Sequence, residues 1–396
     1  MYQIRTSCKH GNIDVSSRPP PHRYGCLVLH GRPDFRHILS WEVAIRTALL
    51  VIPAAVLLAV RAESRTKPGV YWPAEPGETH LRNIRQITFG GNNAESYFSA
   101  DGKRLIFQHK DSVAKTKGCD QEYVMNIDGS NLRRISNGKG RTTCGYFIER
   151  DQRVVYSSTV AHDTACPPVP DASLGYVWPV GHFEIYSAKP DGSDQKQLTN
   201  NGTYNAETTA SADGKRLIFT STRDGDIDLY TMNSDGTGSR RITNRLGYDG
   251  GGVFSPDGKL ITWRAAYPQT AADTAEYQRL LVQRLVRPAA LELWVANADG
   301  SSARAITHLG GANWAPSFFP DGRRIIFASN YQDPRGGNFD LYQVNADGTG
   351  MAKITTATGF DGFPMFSPDG KKLVWASSRH GKVPGEINLF IADWKD

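Results

Sequence analysis

Two short signatures alternate along most of this chain, and together they restrict it to one architecture. The first is a tight turn ahead of an apolar run. It appears as Phe98-Ser-Ala-Asp-Gly-Lys-Arg-Leu-Ile-Phe107 and Ala210-Ser-Ala-Asp-Gly-Lys-Arg-Leu-Ile-Phe219. It returns as Phe254-Ser-Pro-Asp-Gly-Lys259, Phe318-Phe-Pro-Asp-Gly-Arg-Arg-Ile-Ile-Phe327 and Phe366-Ser-Pro-Asp-Gly-Lys-Lys-Leu-Val-Trp375. The second runs from an Asp-Gly pair to an Ile/Leu-Ser/Thr ending, at Asp128, Asp191, Asp235, Asp299 and Asp347. Asp-Gly supplies the positive backbone angle that a tight hairpin requires. Two hairpins per unit make four short antiparallel strands, and units recurring at roughly 40–50 residues mark a β-propeller.

The aspartates of the first signature stand at 101, 213, 257, 321 and 369. A degenerate copy, Phe147-Ile-Glu-Arg-Asp-Gln-Arg-Val-Val-Tyr156, fills the long first gap and makes six units. The sixth unit stops at what reads as a third strand, Ile387-Asn-Leu-Phe-Ile-Ala-Asp-Trp394. A spare fourth-strand pattern, Leu81-Arg-Asn-Ile-Arg-Gln-Ile-Thr88, precedes the first unit. The expected fold is therefore an all-β, six-bladed propeller over residues 81–396, its last blade closed by the amino-terminal strand. Closure of this kind removes an exposed sheet edge.

Residues 47–60 form an uninterrupted apolar stretch, shorter than the roughly 20 residues of a membrane span and broken by Pro53. With Arg46 before it and Ala62 after it, the stretch reads as a secretory signal over residues 43–62, with an amino-terminal anchor as the alternative. Residues 1–42, rich in Arg, Pro and His, read as a stretch outside the natural protein, and residues 63–80 as a linker. Residues 1–62 hold 8 Lys and Arg against 3 Asp and Glu, leaving 38 basic and 37 acidic residues in the rest. The formal charge of +6 thus comes mostly from the leader. A nucleic-acid partner, which needs a basic patch, loses its support. The expected location is periplasmic or secreted, with no stable membrane span after processing, and the expected state is a monomer.

Cys8 and Cys26 fall in the leader, while Cys119, Cys144 and Cys166 fall in the first two units. Export into an oxidising compartment predicts one disulfide among these three, with the pairing left open. Two insertions interrupt the repeats. Residues 160–181 carry Tyr176-Val-Trp-Pro179 and suit a binding lip or simple packing over a blade edge. Residues 270–286 read as an amphipathic helix of about four turns, capped by Thr270 with Asp273, with Tyr277, Leu281 and Leu285 on one stripe.

The starts of the first strands mark one mouth of the channel. They supply Glu95, Glu207, Asp249, Asn313 and Asp361, with Trp314 and Phe363 beside them. Converging acids predict a negative funnel for a cation or for basic groups of a partner. The competing expectation is that these side chains cap backbone groups where the strands begin. No Gly-x-Ser-x-Gly, His-Glu-x-x-His, P-loop or dinucleotide fingerprint is present, and no metal or cofactor is expected. The chain is expected not to be an enzyme. Chemistry by channel-mouth carboxylates remains the outlying alternative.

The repeats resemble those of the TolB-type propellers of the Tol–Pal envelope system. The likeness rests on Phe254-Ser-Pro-Asp-Gly-Lys259, Phe366-Ser-Pro-Asp-Gly-Lys371, and Asp228-Leu-Tyr-Thr-Met-Asn-Ser-Asp-Gly236 leading to Arg241-Ile-Thr243, and spans residues 81–394. TolB itself carries an α/β domain before its propeller, where this chain has about 18 residues. The resemblance implies a protein-binding propeller whose channel mouth receives an envelope protein or peptide segment. An accessory propeller of a hydrolytic system, associated with a peptidase or binding glycan, is the alternative it leaves.

Overall fold

The computed structural model describes residues 69–113 and 118–396. The leader, with Cys8 and Cys26, lies outside the described residues. Six antiparallel blades, each built on four strands, follow one another in chain order. Blade 3 shows the pattern: Asn205–Ala210, Arg216–Ser221, Asp228–Asn233 and Arg240–Arg241, each paired with the next. Blade 6 takes its first three strands from Asp361–Phe366, Lys372–Ser377 and Asn388–Trp394. Its fourth is Leu81–Gln86, antiparallel to the last strand with Leu81 opposite Trp394 and Gln86 opposite Phe390. Chain closure is therefore as the strand surplus and deficit predict.

The segment expected to be a linker does more. Val70–Trp72 pairs with Leu81–Gln86 as a fifth strand, so blade 6 alone has five. Glu78 then turns into the protein and is buried. Its carboxylate accepts from the backbone N–H groups of Glu75 and Thr356 and pairs with Arg379.

The turns follow the signature closely. Gly102, Gly214, Gly258, Gly322 and Gly370 all have φ between 68° and 70°, a conformation that glycine adopts without a Cβ penalty. In the degenerate blade 2 copy, Glu149, Arg150 and Asp151 take positive φ in succession instead. Asp151 accepts from the backbone N–H groups of Ala100 and Asp101, at 2.6 and 3.0 Å, tying that turn to its neighbour in blade 1.

The core lies between blades. Ile148, Val155 and Ile185 of blade 2 pack on Leu217, Phe219 and Tyr230 of blade 3, and the other blade pairs repeat the arrangement. Each first strand meets the first strands of its neighbours, so six of them surround the axis.

The inserted helix, Ala271–Val282, begins with the expected capping box between Thr270 and Asp273. It is shorter than expected. Arg284 takes φ 58°, and Leu285–Val286 leaves the helix to pair with Trp178–Pro179 of the first insertion. The two insertions thus join each other across the channel mouth. Tyr277 anchors the helix, its hydroxyl donating to Asp226 and to the carbonyl of Gly247. Among the described residues no helix is long and apolar enough to cross a membrane.

Cys119 and Cys166 form a disulfide across 47 residues of sequence, and Cys144 is free and buried. Loss of the bridge, by Cys166→Ser, is expected to lower unfolding free energy by about 2–4 kcal/mol, because the open chain gains conformational freedom when unfolded. Urea unfolding of the oxidised and variant proteins measures this. Equal midpoints would show that the bridge contributes nothing.

Candidate functional site

Each first strand carries a β-bulge at the same place. Register shifts fall between Ala94 and Tyr97, Thr143 and Tyr146, Ala206 and Thr209, Gly250 and Val253, Trp314 and Ser317, and Gly362 and Met365. The residue at the bulge is left-handed in all six blades: Glu95, Cys144, Glu207, Gly251, Ala315 and Phe363, with φ from 51° to 63°. Five of these are not glycine, so the fold holds them in a conformation costing about 1–2 kcal/mol each. Strain of this kind clusters at working sites.

All six bulge residues line a cavity of about 340 Å³ in the channel. Its walls are aromatic: Tyr97, Tyr146, Tyr204, Tyr248, Trp314 and Phe363 from the blades, and Tyr176 and Trp178 from the first insertion. Trp178 stands 6.0 Å from Trp314 and 6.2 Å from Tyr248, ring centre to ring centre. Its indole N–H donates to the Tyr176 hydroxyl. The lip expected of the first insertion is therefore part of the cavity wall.

The predicted ring of acids divides in two. Glu95 and Glu207 are bulge residues that line the cavity, as do Trp314 and Phe363. Asp249, Asn313 and Asp361 stand two residues before the bulge and are fully buried away from it. Asp249 accepts from the Trp263 indole N–H and the Tyr267 hydroxyl, both at 2.6 Å. Burial pushes its carboxyl up to about 7, against these hydrogen bonds. Asn313 donates to the carbonyls of Leu291 and Gly310. Asp361 accepts from the Trp375 indole N–H and pairs with Arg379 at 2.9 Å. All three fasten the strand starts, but only Asn313 does so by capping backbone groups; Asp249 and Asp361 are held by side-chain donors instead.

The negative funnel is corrected by two arginines. Arg264, on the second strand of blade 4, lines the cavity and forms a buried ion pair with Glu207. Desolvation, the largest influence, opposes its charge, but Glu207 together with Tyr248, Tyr204 and Glu95 outweighs it and holds the guanidinium above its ordinary value. Gly251 makes room for this contact, since a Cβ there would collide with the guanidinium. The Arg264 guanidinium also faces the rings of Trp178 and Tyr248, at 5.4 and 5.6 Å. Arg141 pairs with Asp120 at 3.3 Å elsewhere in the lining. Glu207 further accepts from Thr220 Oγ1 and from the Gly251 backbone N–H. The lining thus sets two arginines against three carboxyls, which leaves it far less negative than a ring of acids would be.

Arg264 is not among the residues singled out from the strand starts, yet its position is legible in the sequence. Its position holds Gln108, Ser157, Thr220, Ala328 and Ala376 in the other blades, by alignment on Phe107, Tyr156, Phe219, Trp263, Phe327 and Trp375. A charged residue at a small or neutral position is the signal. Among the described residues, several buried polar atoms of the lining have no hydrogen-bond partner: Gln108 Oε1, Thr208 Oγ1, Arg264 Nε and Trp314 Nε1. Buried polar groups are nearly always satisfied, so these atoms are open to water or to the polar groups of a ligand. Among the described residues no cluster suits a metal ion.

Residues 286–384 match the family PD40, described as the TolB beta propeller domain. A stretch of 124 residues, 31% of this chain, is 26% identical to dipeptidyl-peptidase 5 of Porphyromonas endodontalis, and spans 15% of that protein. In fold, the chain is similar to a putative TolB from Agrobacterium tumefaciens, with a TM-score of 0.52 and 19% identity over 77% of this chain and 91% of that one. It is similar to TolB from Acinetobacter baumannii, with a TM-score of 0.50 and 17% identity over 79% and 67% of the two chains. The chain is thus a six-bladed β-propeller whose residues 286–384 match the TolB beta propeller domain and whose fold is similar to that of the two TolB structures.

Proposed function

We propose that this protein is an exported, non-catalytic propeller of the cell envelope that holds a segment of a partner protein at its channel mouth. The carrying observation is the aromatic cavity with unmet polar atoms on its wall. Aromatic side chains bury much area and present fixed faces, which is what anchors a peptide. Unmet donors and acceptors suit backbone or side-chain groups of an incoming segment. The volume suits the end of a segment or one or two side chains. A catalytic reading has less behind it. Among the described residues no histidine lines the cavity. The one lining thiol, Cys144, is pushed well up by burial and stays protonated, whereas a nucleophile must be a thiolate.

Trp178→Ala with Trp314→Ala is expected to weaken partner capture tenfold or more, since each removes an aromatic anchor. The full chain serves as bait for an envelope fraction, and affinity for any captured protein is then measured. Unchanged affinity in the double variant would remove the cavity from consideration.

A further inference from the structure

Three carboxyls line the cavity: Glu95, Asp120 and Glu207. Glu207 is paired with Arg264, and Asp120 with Arg141. Glu95 has no ion pair among the described residues. The charges around it are unbalanced toward negative, with Glu207 and Asp120 on one side and Arg264 on the other.

Behind Glu95 lies a second oddity. In five blades the third strand places Ile185, Leu229, Leu293, Leu341 or Leu389 where its backbone N–H donates to a Thr hydroxyl, at 2.7 to 2.9 Å. In blade 1 the same bond, to Ser136 Oγ, is made by Glu122. Glu122 is fully buried, and the neighbouring Gly145 backbone N–H is the polar group that steadies its carboxyl. The space exists because Gly145 faces it, where any Cβ would collide with the carboxyl. An acid has replaced an aliphatic residue beside Glu95, in a place where burial makes it costly.

We propose that the cavity binds a primary ammonium group of the partner segment, a lysine side chain or a chain amino terminus, against the Glu95 carboxylate. This rests on the partner-segment reading above. An ammonium carries three donors and is expensive to bury unless paired. The lining offers Glu95, the unmet Gln108 Oε1 and the unmet Thr208 Oγ1 as acceptors. The rings of Tyr97 and Tyr146, 5.1 Å apart, are among the aromatic walls whose faces attract a cation. Arg264 Nε and Trp314 Nε1 remain as donors for the segment's carbonyl groups.

The pairing is linked to protons. The groups facing Glu95 are Tyr97, Cys144, Glu122, Asp120, Glu207 and Arg264. Burial, the largest influence, pushes Glu95 up to about 7. Below that pH the carboxyl is protonated and must lose its proton to meet a cation. Ammonium affinity therefore falls as pH falls through 7, by at most about tenfold per unit.

The test uses the full chain and three probes: Nα-acetyl-lysine methylamide, leucine amide with its free α-amine, and uncharged Nα-acetyl-norleucine methylamide. Binding is read from Trp fluorescence and calorimetry at pH 6 and pH 8. At least one ammonium probe should bind tenfold or more tightly than the neutral one, and which of the two does so identifies the source. The lysine probe, charged at both pH values, should bind more tightly at pH 8 if it is the ligand. Glu95→Gln, nearly isosteric, should erase the preference and the pH dependence while keeping the wild-type unfolding midpoint at pH 6. Failure of both ammonium probes to bind, equal binding of charged and neutral probes, or preference retained in Glu95→Gln would overturn the inference. If envelope capture needs Trp178 and Trp314 but is unchanged in Glu95→Gln, the partner-segment reading stands and the ammonium site falls.

Discussion

Arg379→Ala should lower the unfolding free energy by about 3–5 kcal/mol, the range expected when a buried pair loses one member. The Arg379 guanidinium donates to Glu78 Oε1 at 2.8 Å and to Asp361 Oδ2 at 2.9 Å, and its Nε donates to Ser377 Oγ at 3.1 Å. All three charged side chains are at most 5% exposed. Truncation strands two carboxylates in a dry site. It also frees the segment that carries Glu78, which delivers the closing strand to blade 6. Glu78→Ala should cost less, because Arg379 keeps Asp361. Urea unfolding at neutral pH tests both, and a loss under about 1 kcal/mol for Arg379→Ala would show that solvent reaches the cluster.

Arg264→Ala should be of similar severity, about 3–5 kcal/mol, and should also abolish binding at the channel mouth. Glu207 would be left charged beside Glu95, with Trp178 and Tyr248 deprived of the guanidinium they pack on. Arg264→Met combined with Glu207→Gln removes both charges and keeps volume, so it should recover most of the stability and none of the binding. A double variant no more stable than Arg264→Ala would mean that packing, not charge, makes the site. Arg264→Met, Glu207→Gln and the double variant form a cycle, and a coupling above about 2 kcal/mol is expected for neighbours in one buried network.

Several features were readable from the chain alone. The turn signature states where each hairpin reverses, because Asp-Gly meets a local backbone demand that does not depend on the rest of the fold. Six copies, a spare strand at one end and a missing one at the other require ring closure. The capping box at Thr270 is likewise a local matter, satisfied within one turn of helix. The apolar positions could be placed between blades, since period-2 alternation assigns each residue a face.

The site was only half legible, and the bulge is the reason. Asp249, Asn313 and Asp361 sit near the starts of their first strands much as Glu95 and Glu207 do, and by composition they look like one ring. A bulge inserts an extra residue and resets which side chains face the axis. Residues two positions apart, which an ideal strand would put on the same face, then have different surroundings: Asp249 meets Trp263 and Tyr267, while Gly251 opens space for Arg264. Leu285 shows the same dependence. Its spacing fits a helical stripe, yet pairing with Pro179, over a hundred residues earlier, takes it into a strand. The Arg264–Glu207 pair joins blades 4 and 3, and Glu122 meets Gly145 across blades 1 and 2. The repeat spacing determined the ring because hairpins are local. The charge balance of its mouth was decided by contacts between blades, which exist only once the ring has closed.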